Sequence, residues 1–348
     1  MTPQKLLDTH IHLWPSTATS PTDHAWMAST NLGKRHGISD YYATTSATSP
    51  IQPSGFIYVE TDRYLASPNP DIAISDDVEV KKEKLKIWAK APIEELQFLR
   101  RMVEGKPKES DGFEPEDSEK LVGAVIWAPF HLSTDLFDLY LEIAEGVSGP
   151  KLWEKVVGFR YLLQAISDET QMSQLVFSED FLQNMLRLRQ GRGGRGWAFD
   201  VGVDAHGKGA WQIEVAADMV DKVRELEGDG KTWENGLKRL AAQPAVYMKL
   251  SGAFNEFYPT PTPNDGSDLS VLMEYYMDKV FYLFKSERVM FGSDWPVCNI
   301  GGPRGEQSWG LWREVVEKEL GDGGDEISKA RRERVWWGTG CEAYGVEI

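Results

Sequence analysis

The chain has 348 residues, of which 41% are hydrophobic and 26% are charged, a balance typical of a globular protein. Its net charge of −16 repels phosphate backbones, so the composition disfavours nucleic-acid binding. The N-terminus lacks a secretory signal, and no apolar run approaches membrane-spanning length. We therefore expect a cytoplasmic protein with no membrane partner, in which Cys298 and Cys341 are reduced.

Short apolar runs alternate with longer amphipathic stretches, a pattern that predicts β/α units around a parallel sheet. Predicted strands cover residues 6–13, 55–61, 121–128, 156–163, 197–203, 246–252 and 288–295. Predicted helices cover 78–104 (with a break near Pro92), 134–146, 178–190, 212–226, 232–242, 267–285, 309–320 and 325–345. The pattern predicts one α/β domain over residues 1–348, of the (β/α)8 or TIM barrel class.

Two segments interrupt the alternation, and one strand is lacking from it. Residues 15–54 are rich in Ser, Thr and Pro and are predicted to be a loop insertion on the active-site side, because they follow the first strand. Residues 105–120 are predicted to be an acidic loop. Residues 204–245 hold two predicted helices separated only by "EGDGK", which cannot form a strand. The barrel is therefore predicted to be distorted, with strand 6 missing or reduced.

Candidate metal ligands lie at both ends of the chain. In "DTHIHLW" (8–14), His10 and His12 are two residues apart on a predicted strand and so point to one face. In "GSDWP" (292–296), Asp294 ends the last predicted strand, where barrel enzymes keep a ligand or a general base. The alternative for Asp294 is a structural turn cap.

Charged and aromatic side chains at strand ends are candidates for substrate binding. Arg160 and Lys249 lie inside apolar strands, where each needs an ion-pair partner or binds a substrate carboxylate. His206 follows the fifth predicted strand. Trp14 and Trp295 lie near loop ends, where an indole can stack on a sugar face, although packing in the core is the more common role of tryptophan.

The segments "DTHIHLW", "GFRYLLQ", "MKLSG" and "MFGSDWPVC" resemble the amidohydrolase superfamily, amidohydrolase-2 type. The resemblance runs from residue 6 to about residue 345. It is strongest to the sugar-acid lactonase branch, which includes fungal L-rhamnono-γ-lactonase-like and L-fuconolactonase-like proteins.

This resemblance implies a distorted barrel that opens a small-molecule lactone such as L-rhamnono-1,4-lactone by water attack on the ring carbonyl. His10 and His12 would polarise the carbonyl, either through a divalent metal, with zinc as the first candidate, or directly without a metal. Asp294 would be a further metal ligand and the general base. Arg160 and Lys249 would lie near the sugar hydroxyls or the developing carboxylate. A homodimer is the assembly to test.

The chain departs from the family at the sixth strand, which normally carries a histidine that faces the substrate. Three explanations stay open: the segment was lost from the gene or its coding-sequence prediction, His206 in "VDAHGK" has taken over its role, or the protein is a non-catalytic descendant. Alternative functions are accordingly a metal-dependent decarboxylase of the same superfamily, or a catalytically impaired barrel that only binds a ligand.

Overall fold

A computed structural model of the chain describes residues 5–27, 30, 32–224, 233–254, 262–321 and 324–348. Each of the seven predicted strands is present in this part of the chain, although several are shorter than predicted. The strands are β1 (Leu7–Ile11), β2 (Gly55–Val59), β3 (Leu121–Trp127), β4 (Val156–Arg160), β5 (Ala198–Asp200), β6 (Met248–Leu250) and β7 (Val289–Phe291).

The α-helices lie between and after these strands. Their bounds are α1 (Ile38–Thr48), α2 (Val78–Trp88), α3 (Lys90–Glu104), α4 (Thr134–Lys155), α5 (Glu169–Val176), α6 (Glu179–Arg187), α7 (Trp211–Arg224), α8 (Trp233–Ala242), α9 (Gly266–Phe284), α10 (Ser308–Leu320), α11 (Glu326–Glu333) and α12 (Thr339–Tyr344). The predicted break in 78–104 falls at Ala89, so that Pro92 lies in the first turn of α3, where a missing N–H costs nothing. None of the described helices is both long and apolar enough to cross a membrane.

The strands form two parallel sheets that meet at β1. One sheet has the order β1-β2-β3-β4-β5, and β6 pairs with β7. Beyond these ladders, Ile11 bridges to Trp295 in parallel, and the His10 carbonyl accepts the backbone N–H of Asp294 at 2.8 Å. The carboxyl ends of the first and last strands therefore lie side by side, which is the end of a parallel sheet where ligands bind.

The predicted α/β class is confirmed, with a curled five-stranded parallel sheet as its largest element. Between β5 and β6, residues 201–224 and 233–247 contain α7 and α8 but no strand. In a complete eight-stranded barrel, the sixth strand would lie between β5 and β6 of this chain. The segment "EGDGK" in that interval lies outside the described residues, so the absence of this barrel strand stays a prediction.

Alternate residues of the strands pack into two different layers. Phe56 and Tyr58 of β2 point outward into the large core beneath the helices. Ile57 and Val59 of the same strand point inward, into a smaller cluster that Tyr344 of α12 joins. This alternation is the two-residue period of a strand buried on both faces. The inner cluster fills one end of the curled sheet and leaves the carboxyl ends of the strands for a site.

The insertion 15–54 is more ordered than predicted. Residues 38–48 form helix α1, so the prediction of a loop over the whole segment was wrong there. The insertion also packs on the acidic loop, since the Ser16 N–H donates to the Ser110 carbonyl at 2.9 Å. A side chain at Gly37 would come within 2.3 Å of the Gly112 carbonyl, so the two segments meet too closely for any residue but glycine.

Candidate active site

His10 and His12 stand side by side at the carboxyl end of β1, with ring centroids 5.0 Å apart. The carbonyl of Val59, at the end of β2, can only accept a hydrogen bond, so His12 Nδ1–H donates to it at 2.8 Å. The Ser251 hydroxyl, which follows β6, lies 2.9 Å from Nδ1 of His10. Neighbouring strands therefore orient both rings through Nδ1 and leave both Nε2 atoms facing Asp294.

Asp294 completes the cluster from the turn after β7. Its Oδ1 lies 3.1 Å from Nε2 of His12 and 3.4 Å from Nε2 of His10. The residue has a φ of 59°, a left-handed conformation that aspartate tolerates better than most side chains. Together with its N–H bond to the His10 carbonyl, this backbone conformation brings the carboxylate against both imidazoles.

Asp8, the first residue of "DTHIHLW", has a structural role and does not face the metal-type cluster as a ligand. It is fully buried, and Oδ1 accepts the backbone N–H of Ser293 at 2.9 Å. Its Oδ2 accepts the Tyr41 hydroxyl at 2.8 Å and the Trp309 indole N–H at 3.0 Å. Burial raises the pKa of Asp8 against the effect of these donors. One carboxyl group therefore ties β1 to the β7 turn, α1 and α10, and holds the histidines beside Asp294.

The cluster has the donor set and the spacing of a metal site. Among the described residues, the buried Nε2 of His10 has no hydrogen-bond partner. In a neutral His12, Nδ1 carries the proton, so Nε2 presents a lone pair to Oδ1 of Asp294. Nε2 and Oδ1 are then both hydrogen-bond acceptors, and a proton or a cation must lie between them. Ligands of tetrahedral zinc, about 2 Å from the ion, lie roughly 3.3 Å apart. His10, His12 and Asp294 therefore fit a divalent metal and leave a further position for water or substrate.

The electrostatic surroundings keep His10 in the form that binds metal. Burial lowers the pKa of His10 well below its usual value, and the positive charge of Lys249 lowers it further. The ring is therefore neutral at physiological pH, as metal ligation requires.

Arg160, at the end of β4, forms a buried ion pair with Glu60, which follows β2. Its Nε donates to the Glu60 carboxylate, and its terminal nitrogen donates to the Glu60 carbonyl at 2.6 Å. Burial opposes the charge of Arg160, but the carboxylates of Glu60 and Asp200 outweigh it and raise the pKa of the guanidinium. Of the two roles predicted for this cation, the structure shows the ion pair.

Lys249, in β6, has an equivalent partner in Asp200 at the end of β5. Burial acts against the charged amine, yet the carboxylate of Asp200 keeps the pKa of Lys249 above its usual value. The Tyr344 hydroxyl lies 3.4 Å from the same carboxylate. This pair spans the gap between β5 and β6, where the described chain has no strand.

A cavity of about 2520 Å³ joins these groups. Most of the predicted site residues contribute to its lining: His10, His12, Arg160, His206, Lys249 and Asp294. His206 is exposed, in the turn that precedes α7. From the metal-type cluster, the cavity continues past β5 and β6 to apolar side chains of α7 and α8, including Ile213 and Leu237.

The prediction that Trp14 and Trp295 contact a substrate was wrong. Both are almost fully buried, with 1% and 2% of their surface exposed, and neither lines the cavity. Trp14 packs on His36 with ring centroids 4.6 Å apart, and Trp295 packs on Tyr41 at 5.2 Å. The tryptophans that line the cavity are Trp26, whose indole N–H donates to the Thr61 carbonyl at 2.8 Å, and Trp197.

Sequence reasoning missed four polar residues of the site: Glu60, Asp62, Asp200 and Ser251. The segment "YVETD" carries two carboxylates at the carboxyl end of a predicted strand, which is the same signal that identified Asp294. Ser251 follows the strand that contains Lys249, and its role depends on a contact with His10 that only the folded sheet reveals.

Residues 205–346 match the amidohydrolase family. The chain is 26% identical over 369 aligned positions to an L-rhamnono-gamma-lactonase of Scheffersomyces stipitis, with 99% of this chain and 100% of that protein covered. It is 30% identical over 138 positions to an L-fucono-1,5-lactonase of Burkholderia ambifaria, with 39% of this chain and 43% of that protein covered.

Among solved structures, the chain resembles an amidohydrolase from Burkholderia multivorans crystallised with bound zinc. The TM-score is 0.64 at 20% identity, with 99% of this chain and 100% of that chain covered. At this level of identity, the likeness establishes the fold.

Proposed function

We propose that this chain, which carries an amidohydrolase domain over residues 205–346, is a hydrolase that opens the ring of sugar-acid lactones. The observation that carries the proposal is the cluster of His10, His12 and Asp294 beside the cavity, where a carboxylate oxygen faces two imidazole nitrogens. The similarity over the whole chain to a protein named as a lactonase of a sugar acid supports the substrate class.

Lactone hydrolysis needs a base for the attacking water and a positive or hydrogen-bonding group at the ring carbonyl. Asp294 takes the proton of the water, which adds to the carbonyl carbon, and the bond from that carbon to the ring oxygen then breaks to give a hydroxy acid. His10, His12 and Asp294 would hold a divalent metal, with zinc as the first candidate, and it would supply Lewis acidity toward the carbonyl. In the metal-free alternative, the histidines polarise the carbonyl directly, and the N–H available for this is that of His10 Nε2, because the Nδ1–H of His12 already binds the Val59 carbonyl.

Arg160 and Lys249 are proposed to bind the substrate hydroxyls and the new carboxylate. Each cation is already paired with a buried carboxylate, Glu60 or Asp200, so the two pairs add little net charge to the cavity. Their contribution is therefore a set of oriented donors, held in place before the substrate arrives. His206, exposed at the cavity lining, is proposed to contact the more distant part of the substrate.

We further propose that the two sheets belong to one distorted (β/α)8 barrel. Its strand 6, which would lie between β5 and β6 of this chain, is missing or reduced. The contacts between β1 and β7 support closure on one side, and the Lys249–Asp200 pair supports the approach of β5 and β6 on the other. A homodimer and a cytoplasmic location remain predictions.

No specific observation favours the decarboxylase alternative, which needs more histidine ligands than His10 and His12. In the part of the chain that the structure describes, the candidate metal cluster contains these two and Asp294.

The test is acid release by the purified chain over a panel of aldonolactones that begins with L-rhamnono-1,4-lactone, with bound metal measured on the same sample. Turnover of at least one lactone supports the proposal. A folded, metal-supplied protein that binds lactones, seen as a rise in melting temperature, but releases no acid would contradict it and favour the non-catalytic alternative.

A further inference from the structure

Asp62 lines the cavity together with the cluster of His10, His12 and Asp294. Asp62 lies three residues beyond Val59, whose carbonyl accepts the hydrogen bond of His12. Three residues of extended chain span at most about 11 Å, so the backbone of Asp62 lies within that distance of Val59. Its φ is 50°, the same left-handed region as Asp294, which is uncommon for residues other than glycine, although aspartate tolerates it better than most, and which is concentrated at functional sites. The Asp62 N–H donates to Oε2 of Glu60 at 2.6 Å, which fixes this conformation.

The surroundings of Asp62 differ from those of Glu60 and Asp200, the carboxylates that pair with Arg160 and Lys249. Each of those two has a buried cation, whereas Asp62 forms no salt bridge with any residue in the described ranges. The groups that act on it are Glu60 and Glu95, which are acidic, and Arg160, which is basic. Tyr161, which directly follows β4, also interacts electrostatically with Asp62.

Burial and the negative charge of Glu60 together raise the pKa of Asp62 to about 7. The geometry points in the same direction, since an acid that has a carboxylate neighbour and no cation of its own holds its proton. Asp62 is therefore available as a proton donor under conditions in which an ordinary aspartate is not.

Lactone opening has a use for such a donor. When the acyl carbon–oxygen bond breaks, the ring oxygen of a sugar lactone would leave as a strongly basic alkoxide unless it receives a proton. Asp294 collects a proton from water at the start of the reaction, but it lies in the cluster that acts on the carbonyl.

We propose that Asp62 is the general acid that protonates the leaving ring oxygen. This inference rests on the proposed function. The Asp62 carboxyl gives its proton to the ring oxygen as the acyl bond breaks, which yields the free hydroxyl of the product. Its carboxylate then regains a proton from solvent while Asp294 releases the one taken from water, so protons balance over the cycle.

The experiment compares Asp62→Asn with the wild type on two lactones, an aldonolactone and dihydrocoumarin, whose phenolate leaving group needs no proton. Asp71→Asn, an exposed aspartate of the same connection between β2 and α2, is the matched control. We expect Asp62→Asn to slow kcat on the aldonolactone by about 100- to 10,000-fold, the usual contribution of a general acid. We expect its rate on dihydrocoumarin to stay within a few-fold of wild type.

The pH profile on the aldonolactone gives a second readout that does not need the aryl lactone to be a substrate. The wild-type rate should fall as the pH rises through the ionisation of Asp62, and Asp62→Asn should lack that fall. An equal loss on both lactones, no loss on either, or an alkaline limb unchanged in Asp62→Asn would overturn the proposal. Failure of the proposed function would differ, because the wild type itself would then release no acid from any lactone.

Discussion

Nε2 of His12 lies 3.1 Å from Oδ1 of Asp294, across the junction between the first and the last strand of the described chain. The two residues are separated by 282 positions in the sequence. A site assembled from such distant segments exists only when β1 and β7 have come together, so closing the fold and forming the cluster are one event.

Replacing a histidine of the cluster should weaken metal binding and activity together. We expect His10→Asn and His12→Asn each to lower affinity for zinc by at least 10- to 100-fold, because each removes one of the three protein ligands. Metal content after dialysis against a chelator measures this effect. His131→Asn, a histidine outside the cluster, is the control. Full wild-type activity after complete metal removal would contradict the metal-dependent mechanism and favour the metal-free alternative.

Asp8→Ala should destabilise the fold without removing any group of the proposed chemistry. Four donors, from His10, Ser293, Tyr41 and Trp309, would lose a buried acceptor, at a cost of about 3 kcal/mol or more. Urea denaturation measures the free energy of unfolding, and the exposed Asp71→Ala should change it by less than about 0.5 kcal/mol. Equal stability of the two variants would show that the hydrogen bonds of Asp8 do not stabilise the contact between β1 and the turn after β7.

The Glu60–Arg160 pair should show strong coupling in a double-mutant cycle. Arg160→Met leaves the carboxylate of Glu60 buried and unpaired and should cost about 3–5 kcal/mol of unfolding free energy. Adding Glu60→Gln should recover part of that loss, since the uncompensated charge is then gone. The exposed pair of Lys86 and Glu83 is the control, where Lys86→Met should cost less than about 1 kcal/mol. Additive effects of the two substitutions would contradict the pairing.

Acid stability should depend on Asp111, a buried carboxylate that Arg101 binds with two nitrogens at 2.7 and 2.8 Å. Burial acts to raise its pKa, but the Arg101 guanidinium and the Lys108 N–H outweigh burial and hold the pKa below its usual value. The stability it contributes is therefore present above pH ~4, the ordinary carboxyl value, and is lost as the pH falls through the lower folded value.

Thermal unfolding of Asp111→Asn from pH 7 to pH 2 tests this dependence. The variant should be less stable than wild type at pH 7, and the difference should shrink as the pH falls. A constant difference over the whole range, or none, would show that ionisation of Asp111 does not contribute to stability.

Much of the fold follows from local sequence patterns, because its strands are buried and therefore apolar. All seven predicted strands occur, including the three-residue strands β5, β6 and β7, each of which lies within a longer apolar run. Helix α1 was missed because "ISDYYATTSAT" is rich in residues of low helix propensity. Its stability comes from tertiary burial of Ile38, Tyr41 and Thr45, and from the Tyr41 bond to Asp8, which no local pattern contains.

The candidate site was only partly predictable for a different reason. His10, His12 and Asp294 stand at strand ends, and the strand period and the shared carboxyl edge of a parallel sheet are enough to bring them together. Trp14 and Trp295 stand at strand ends as well, but the depth of an aromatic side chain depends on the packing of neighbours such as Tyr41 and His36. Sequence alone cannot separate a buried indole from one that faces the cavity.

The substitution Asp294→Asn tests whether Asp294 is the base of a lactone-opening reaction. The substitution keeps the size of the side chain and removes its ability to accept the proton of water. On an aldonolactone that the wild type hydrolyses, kcat should fall by about 100- to 10,000-fold, with circular dichroism and the melting temperature close to wild type. Turnover by folded Asp294→Asn at the wild-type rate would contradict the claim.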